Sequence, residues 1–585
     1  MAIGLVPPPT TPMTGSLPIA MGHGYPRPGL ERAEWESLNG AWDFAPDEGR
    51  WAAPGHVTWD RIILVPFAPE TPASGVYEAA MPRACWYRRR FAAPALNPGD
   101  RLVLHFGAVD YAATVWVNDV PAGSHEGGFT PFALDVTNHV RIDAAEQTVT
   151  VRVEDDPADL GKPIGKQDWQ VPVRPGWLPR TTGIWQTVWL ERQPATAIAT
   201  IEWTPDLDRW ALGLRITLDG VPREDLRISI QVRIGEGLER TLLVDDTYFL
   251  IGPSVERRLR LPETSPGGSR EAMTWSPENP VLLRARIRLW ALRGELLDEV
   301  NSYTAMRDVR TEGDRFFLNG RPYPLRMVID DGVWSDTGMT PPDDSALHLD
   351  VQLIKGLGFN GVFKAQKIED PRFLYWADAF GLLVWVQLPG LHQVDSRAVS
   401  RAISEWAAAI ARDRNHPSVI GWIPSDQRVG ASWPSADPVG QAYVQALHQV
   451  TRAIDPNRPV IALDAVLSPA TDILALPGPP GGFTDRRQDD WAGKPIVATG
   501  IGHFVMPAHG QEVPVVRTAT EAAGELGRDL ATAMGEVNAS RALAGFCYHR
   551  FADMAGDETG LVDIHRTPKL PPVEIARLIH AADGG

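Results

Sequence analysis

The sequence contains little cysteine and no long apolar run, and each scarcity excludes a class of protein. Only Cys85 and Cys547 occur in 585 residues, which excludes a framework of several disulfides like that of small secreted domains. No uninterrupted apolar stretch approaches about 18 residues, the length at which a transmembrane helix becomes a candidate. Residues 1–16 lack a basic stretch followed by an apolar one, so no secretory leader is predicted. We therefore expect a cytoplasmic protein without membrane association.

Positive charge is also in deficit. The chain has 56 basic and 73 acidic residues, with a formal charge of -17 at pH 7. Nucleic acids and anionic membranes bind basic surfaces, so neither is an expected partner. The sequence lacks an H-E-x-x-H motif and closely spaced Cys/His ligands, and it lacks glycine-rich phosphate-binding motifs in a suitable context. We therefore predict no metal and no cofactor.

Tryptophan, in contrast, is abundant. The chain has 21 Trp residues within an otherwise ordinary composition that is 44% hydrophobic and 22% charged. Many of these side chains are expected to fill cores, but a surplus of indole rings also suits stacking against sugars. The length corresponds to roughly three or four domains.

The hydrophobic periodicity divides the chain into three parts. Residues 1–195 predict an all-β domain, because alternating runs such as "DRLVLHFGAV" and "TVTVRVED" are separated by turn-forming residues. Residues 196–310 continue with strands such as "LRISIQVRI" and have the length of a small β-sandwich. From residue 311 to 585, helical and strand patterns alternate.

The third part predicts a (β/α)₈ barrel, because eight buried strand candidates alternate with helices. These candidates are residues 324–329, 359–364, 382–388, 418–424, 459–464, 472–477, 495–500 and 543–549. Such barrels carry their functional residues at the C-terminal ends of the strands. Each residue alone is more often structural, and only their convergence at one face makes them candidates. The residues at those ends are Asp330, Asp331, Lys364, Gln366, Gln387, Asp426, Gln427, Asp464, Gly500, His503, His549, Arg550 and Asp553.

Several motifs resemble glycoside hydrolase family 2, the group of β-galactosidases, β-glucuronidases and β-mannosidases. They include "RACWYRRRF", "RTTGIWQTVWLE", "KIEDPRFLYWAD", "RDRNHPSVIGWIP" and "GFCYHRFADMAGDETGLVD". The resemblance covers nearly the whole chain. It implies a jelly-roll sugar-binding domain at 1–195, an immunoglobulin-like β-sandwich at 196–310 and a catalytic TIM barrel at 311–585.

The same resemblance indicates that both catalytic positions are substituted. The family retains the anomeric configuration by using two carboxyl groups, one as acid/base and one as nucleophile. Its acid/base Glu ends the fourth strand, where "WIPSDQ" places Gln427, and its nucleophile ends the seventh, where "TGIG" places Gly500. An amide cannot exchange a proton at useful pH, and glycine has no side chain to attack a sugar. Gln387 and Ala365 also stand where related sequences often have a carboxylate and a histidine.

Other groups remain as candidates for a changed site. Asp426, His503, His549 and Asp553 are the acid/base candidates, although a solvated or packed role is the simpler interpretation for each His. The residues expected to bind substrate are Asp330, Trp334, Lys364, Gln366, Gln387, Asp464 and Arg550.

Three functions stay open at this stage. The first is a pseudo-glycosidase that binds a glycan or glycoside, or serves as a subunit beside a partner or in a homo-oligomer. The second is an enzyme that acts on a glycoside by non-standard acid/base chemistry. The third is a weak O-glycosyl hydrolase.

Overall fold

The structure is a computed structural model. It describes residues 24–92, 94–141, 143–220, 225–235, 241–263, 269–424, 438–463, 471–478, 493–502, 519–540 and 542–581. Four of the residues selected from the sequence, Asp426, Gln427, Asp464 and His503, lie outside these ranges.

The first domain is a sandwich of two antiparallel sheets. Its strands are β1 (Trp35–Ser37), β2 (Gly40–Asp47), β3 (Arg61–Val65), β4 (Ala84–Phe91), β5 (Arg101–Phe106), β6 (Val109–Asp110), β7 (Ala112–Val117), β8 (Val120–Glu126), β9 (Phe132–Asp135), β10 (Gln147–Glu154), β11 (Gln167–Asp168), β12 (Leu178–Pro179), β13 (Gly183–Ile184) and β14 (Val188–Gln193). One sheet has the order β1-β14-β5-β9 and the other β3-β2-β4-β10-β7-β8. Alternate residues of both sheets fill a single core, which includes Phe44, Tyr87, Phe106 and Val151. This is the jelly-roll domain that the motifs predict.

The second domain is a smaller sandwich. Its strands are β15 (Ala197–Asp206), β16 (Ala211–Asp219), β17 (Leu226–Ile234), β18 (Thr241–Leu250), β19 (Ser254–Arg260), β20 (Leu283–Ala291) and β21 (Leu296–Thr304). A three-stranded sheet, β15-β16-β19, packs on a four-stranded sheet, β18-β17-β20-β21. Seven antiparallel strands in this arrangement match the predicted immunoglobulin-like sandwich.

The third domain contains a short antiparallel sheet followed by parallel strands that alternate with helices. Its strands are β22 (Val309–Glu312), β23 (Arg315–Leu318), β24 (Arg321–Pro322), β25 (Leu325–Asp330), β26 (Gly361–Lys364), β27 (Leu383–Gln387), β28 (Val419–Ile423), β29 (Ile461–Ala462), β30 (Ile473–Pro477), β31 (Ile496–Ile501) and β32 (Leu543–Tyr548). Its helices are α1 (Asp344–Gly356), α2 (Pro371–Phe380), α3 (Ser396–Asp413), α4 (Pro438–Ile454), α5 (Ala519–Ala539) and α6 (Pro572–His580). The predicted boundary between residues 310 and 311 falls inside β22, which pairs with β23 and so belongs to this third domain.

The eight parallel strands form a barrel. Seven neighbouring pairs follow the order β28-β27-β26-β25-β32-β31-β30-β29. The ring closes where the Trp422 amide donates to the Pro459 carbonyl over 3.1 Å, beside the parallel bridge between Trp422 and Val460. The predicted barrel is therefore confirmed.

Local sequence signals explain where the barrel helices begin. Asp343 and Asp395 precede α1 and α3, and each carboxylate accepts a hydrogen bond from a backbone N–H of the first helical turn. Asp370 does the same for α2, which also has Pro371 at its first position and ends at Gly381 in the left-handed conformation. These caps fix the helix starts and so the lengths of the loops at the C-terminal face of the barrel. Within the described ranges, no helix combines the length and apolarity needed to cross a bilayer.

Candidate ligand site at the mouth of the barrel

The C-terminal ends of the strands bring many of the sequence-selected residues to one face. Asp330, Lys364 and Gln387 are the last residues of β25, β26 and β27, Gly500 lies near the end of β31, and His549 follows β32. Their positions in the ring agree with the expectation for this fold. What each side chain does there depends on its contacts.

Asp330 and Lys364 belong to a buried network of charges. The Lys364 ammonium lies 2.5 Å from the Asp330 carboxylate and 2.6 Å from Glu369, and Glu369 also pairs with Lys367 at 2.7 Å. Burial alone would lower the pKa of Lys364, but the two carboxylates outweigh it and hold that pKa above its usual value. Only 1% of Lys364 is exposed. The Lys364 ammonium, which the sequence predicts to bind substrate, is thus paired with two carboxylates inside the protein.

Trp334 packs against this buried network of charges. Its ring lies between the Lys367 ammonium, 5.2 Å from the ring centroid, and the Arg566 guanidinium at 5.1 Å. Arg566 is in turn paired with Asp350 at 2.9 Å. Trp334 is 7% exposed, so it presents little surface to a sugar ring.

A second charge cluster lies at the mouth and includes a residue of the jelly-roll domain. Lys166 contacts Asp331 at 2.5 Å, and Arg550 lies 3.4 Å from the same carboxylate and 2.5 Å from Asp557. Burial would raise the pKa of Asp331, but Lys166 and Arg550 outweigh it and hold that pKa below its usual value. The four charges compensate one another, so the cluster as described carries no net charge.

His549 adjoins this cluster. Burial, reinforced by the positive charge of Arg550, lowers the pKa of His549 to about 4. The imidazole is therefore neutral at neutral pH. With so low a basicity it is poorly matched to general-base work near pH 7, for which the best pKa lies near the working pH. The predicted acid/base role of His549 is not favoured by its surroundings.

Three further candidates tie loops together. The backbone N–H of Gln366 donates to the side-chain oxygen of Gln387 over 2.9 Å, and the side-chain oxygen of Gln366 accepts from the backbone N–H of Gly390 over 2.8 Å. Asp553 accepts from the Gly560 N–H at 2.8 Å and pairs with Lys569 at 2.6 Å. Through these contacts, the side chains of Gln366, Gln387 and Asp553 hold the loops at the rim of the barrel in place.

Gly500 occupies a β-bulge. Thr499 pairs with Cys547 and Ile501 pairs with Tyr548, so Gly500 is the extra residue on its strand. Its φ of +69° is in the left-handed region that favours glycine, and a Cβ atom added there would meet no atom of the described residues within 4 Å. Position 500, at the end of the seventh strand, therefore carries no side chain that could act as a nucleophile.

The main feature missed by sequence reasoning is a segment of the jelly-roll domain, residues 164–177, which we call the strap. The Ile164 N–H donates to the Gly390 carbonyl over 3.1 Å, and the Gly176 N–H donates to the Ala555 carbonyl over 3.0 Å. At Gly165, an added Cβ would lie 2.2 Å from the Gln366 carbonyl oxygen. With the Lys166–Asp331 pair, the strap touches the loops after β25, β26, β27 and β32, so it lines that side of the mouth. The Gly, Pro and Trp residues of "GKQDWQVPVRPGW" mark it as an unusual loop, but its partners are distant in sequence.

Two other regions carry no assigned chemistry. In the part of the chain that the structure describes, no three His, Cys, Asp or Glu residues are grouped so as to hold a metal ion. A cleft of about 690 Å³ lies between the second sandwich and the opposite end of the barrel. Charged residues in its wall already pair with each other, as Arg414 does with Glu202 and Arg458 with Asp455.

Family models match two parts of the chain. Residues 75–182 match the glycosyl hydrolase 2 galactose-binding domain-like model. Residues 309–477 match the glycosyl hydrolases family 2 TIM barrel domain. The two matches fall in the jelly-roll and barrel domains described above.

Individual proteins are also similar to this chain over most of its length. A β-galactosidase from Thermoanaerobacter pseudethanolicus is 26% identical over 432 residues, with 72% of this chain covered. The chain spans only about half of that relative, 53%. A β-glucuronidase from Paenibacillus borealis is 24% identical over 554 residues, covering 84% of this chain and 87% of the relative. In structure, a Bifidobacterium dentium β-glucuronidase complexed with coumarin-3-O-glucuronide superposes with a TM-score of 0.76 at 21% identity, covering 94% of this chain and 97% of that one.

Proposed function

Because this chain belongs to glycoside hydrolase family 2, we propose that it binds a β-glycoside at the C-terminal mouth of its barrel without hydrolysing it by the two-carboxylate mechanism. The favoured sugar is a uronic acid, since β-glucuronidases recur among its relatives and structural neighbours. The bound molecule would lie between the rim of the barrel and the strap.

The observation that carries this proposal is Gly500. Double displacement requires a nucleophile on one side of the anomeric carbon. The end of the seventh strand, where the family resemblance places that nucleophile, has a glycine in a bulge, and no described atom lies within 4 Å of the place where its Cβ would be. A cavity without a nucleophile can still bind a sugar ring, because binding needs only shape and hydrogen-bonding groups.

The alternative of non-standard acid/base chemistry has less support among the described candidates. His549 has a pKa lowered to about 4, and Asp553 is engaged by Lys569 and the Gly560 amide. His549 lacks a pKa suited to proton transfer near neutral pH, and the Asp553 carboxylate is already engaged by an ammonium and a backbone N–H. Ligand binding is therefore better supported than non-standard acid/base chemistry.

The test pairs calorimetric binding with turnover assays. We expect saturable binding of methyl or 4-nitrophenyl β-D-glucuronide, or of the matching galactoside or galacturonide, with no release of 4-nitrophenol. Addition of azide or formate, which replaces a missing nucleophile in a damaged hydrolase, should leave the rate at background. Nucleophile-dependent release would show instead that a hydrolytic pocket persists.

A pair of variants locates the binding. Lys166→Gln removes the strap's contact with Asp331 and should weaken binding severalfold. The control is Arg101→Gln, which removes an ion pair with Asp219 between the two sandwich domains and should leave the affinity unchanged. Equal affinities of the two variants would place the ligand elsewhere. Absence of binding by every glycoside in the set would overturn the proposed function.

A further inference from the structure

The outer part of the strap carries a cluster of rings. Trp169 meets His392 edge-to-face with ring centroids 4.6 Å apart, and Trp177 lies 5.8 Å from the same imidazole. The Arg174 guanidinium is 3.9 Å from the Trp177 ring centroid and 5.0 Å from that of Trp169. Two indoles of the jelly-roll domain are thus packed around one histidine of the third barrel loop.

Arg174 is held rigidly, and this fixes the two indoles. Its Nε and Nη2 atoms donate to the two oxygens of Asp168 over 2.9 and 3.1 Å, and its own backbone N–H donates to the same carboxylate over 2.9 Å. Burial would raise the pKa of Asp168, but its hydrogen bonds with Arg174 and the backbone hold that pKa below its usual value. The anion is therefore present at neutral pH. Rings held in place in advance bind a ligand with less loss of conformational entropy.

Trp169 and Trp177 are more exposed than the tryptophans of the domain cores. Trp169 and Trp177 are half-buried, while Trp185, Trp385 and Trp422 are fully enclosed. His392 is 9% exposed, and burial, with the positive charge of Arg174, lowers its pKa to about 4, which keeps the supporting ring uncharged. The cluster thus combines a fixed, neutral support with two partly open aromatic surfaces.

The cluster lies at the rim, close to the residues that line the mouth. Lys166, three residues before Trp169, contacts Asp331, and Gly176, next to Trp177, contacts the eighth loop. His392 is two residues from Gly390, which accepts the hydrogen bonds of Ile164 and Gly165. A sugar bound at the centre of the mouth would direct the group on its anomeric oxygen outward to the rim.

We propose that Trp169 and Trp177 form a distal subsite that binds a flat ring attached to the anomeric oxygen of the glycoside. The ring is either an aryl group or a second pyranose, both of which offer an apolar face to an indole. This inference rests on the proposed function, because it assigns part of the ligand that the barrel mouth holds. Arg174 and His392 act as positioning residues for the two indoles.

The experiment compares ligands that share a sugar and differ only in the attached group. Calorimetry on the full chain would use methyl, 4-nitrophenyl and β-linked disaccharide glycosides of glucuronic acid, galacturonic acid and galactose. We expect the 4-nitrophenyl or the disaccharide ligand to bind about two- to twelvefold more tightly than the methyl glycoside, since ring stacking adds about 0.5–1.5 kcal/mol. Whichever ligand gains identifies the source of the ring.

Variants separate stacking from general damage. Trp177→Ala and Trp169→Ala should abolish most of the gain and leave methyl glycoside affinity nearly unchanged, and Trp177→Phe should keep part of it. The matched control is Trp59→Ala, because Trp59 is also half-buried beneath an arginine, with Arg88 4.5 Å from its ring centroid, but lies outside the strap. Melting temperatures verify that each variant is folded.

The outcomes distinguish this inference from the proposed function. Equal binding of all three ligands to the wild type, or equal weakening of all three by Trp177→Ala, would overturn the subsite and leave glycoside binding intact. If no glycoside binds the wild type, both proposals fail.

Discussion

At the scale of single residues, Gly500 links backbone geometry to function. Its φ of +69° follows from the bulge between Thr499 and Ile501, and it favours a residue without Cβ. If only the two catalytic groups had changed, Gln427→Glu with Gly500→Glu would be expected to restore some hydrolysis. The left-handed backbone adds an obstacle, because a Glu at position 500 would be strained or would have to remodel the bulge.

The cost of that backbone can be measured with alanine. Gly500→Ala should lower the free energy of unfolding by about 1–2 kcal/mol, the cost of the left-handed region for an L residue, since no described atom lies within 4 Å of the added Cβ. Gly535→Ala is the control, because Gly535 is exposed in α5 with an equally open Cβ position. That change should raise stability by about 0.5–1 kcal/mol. Urea unfolding measures both, and an unchanged or more stable Gly500→Ala would contradict the strain argument.

At the scale of elements, the ends of β25 and β26 are joined by buried charges. Lys364 bridges Asp330 and Glu369, and each of these two acidic residues is only 2% exposed, so water solvates their carboxylates very little. Removing one member of such a group leaves uncompensated charge in the interior, which costs more than losing a surface pair. The network therefore holds the ends of these two strands in place at the barrel mouth.

We predict that Lys364→Met lowers the free energy of unfolding by about 3–5 kcal/mol, because two carboxylates lose their shared partner. The deficit should shrink on acidification. In the wild type, Asp330 has a pKa below its usual value, so its contribution is lost only below about pH 4. In the variant, the stranded acids take up protons at higher pH, which relieves the destabilisation. Thermal unfolding at pH 4.5 and 7 measures this. Arg50→Met, at an exposed pair with Glu48, is the control and should change stability by less than about 0.5 kcal/mol. An unaltered stability of Lys364→Met together with lost ligand affinity would restore the predicted substrate role.

At the scale of the whole molecule, the jelly-roll domain and the barrel share a polar interface with a buried acid at its centre. Glu405 of α3 is 4% exposed and accepts a hydrogen bond from the Phe129 N–H over 3.1 Å. Nearby, Arg401 pairs with Glu126 at 2.6 Å and with Asp159 at 2.9 Å. Burial raises the pKa of Glu405 to about 8, with Asp110 adding to the shift and Arg401 opposing it.

This acid predicts a pH-dependent stability. Between the ordinary pKa of Glu, about 4.3, and about 8, folded Glu405 keeps a proton that the unfolded chain has lost. Its contribution to folding is therefore fully present below pH 4 and is lost as pH rises towards 8. Glu405→Gln should match the wild type near pH 4 and exceed its melting temperature near pH 8.

The control for this effect is Glu574→Gln, at an exposed position of α6. It should track the wild type across the same pH range. If Glu405→Gln is instead less stable than the wild type at pH 8, then ionised Glu405 makes a favourable interaction in the folded protein and the buried-acid account is wrong.

The sequence by itself determined the domain order and the eight-stranded barrel, because hydrophobic periodicity and helix caps are local properties that survive without tertiary contacts. Strand-end logic likewise placed Asp330, Lys364, Gln387, Gly500 and His549 at one face. The tertiary structure alone decided what these groups do. Lys364 and Trp334 are enclosed by charges from other loops, and Lys166 reaches Asp331 across 165 positions of the chain. Such contacts depend on how domains pack, and no local pattern encodes them. For that reason the strap, with Trp169 and Trp177, became part of the candidate site only in three dimensions.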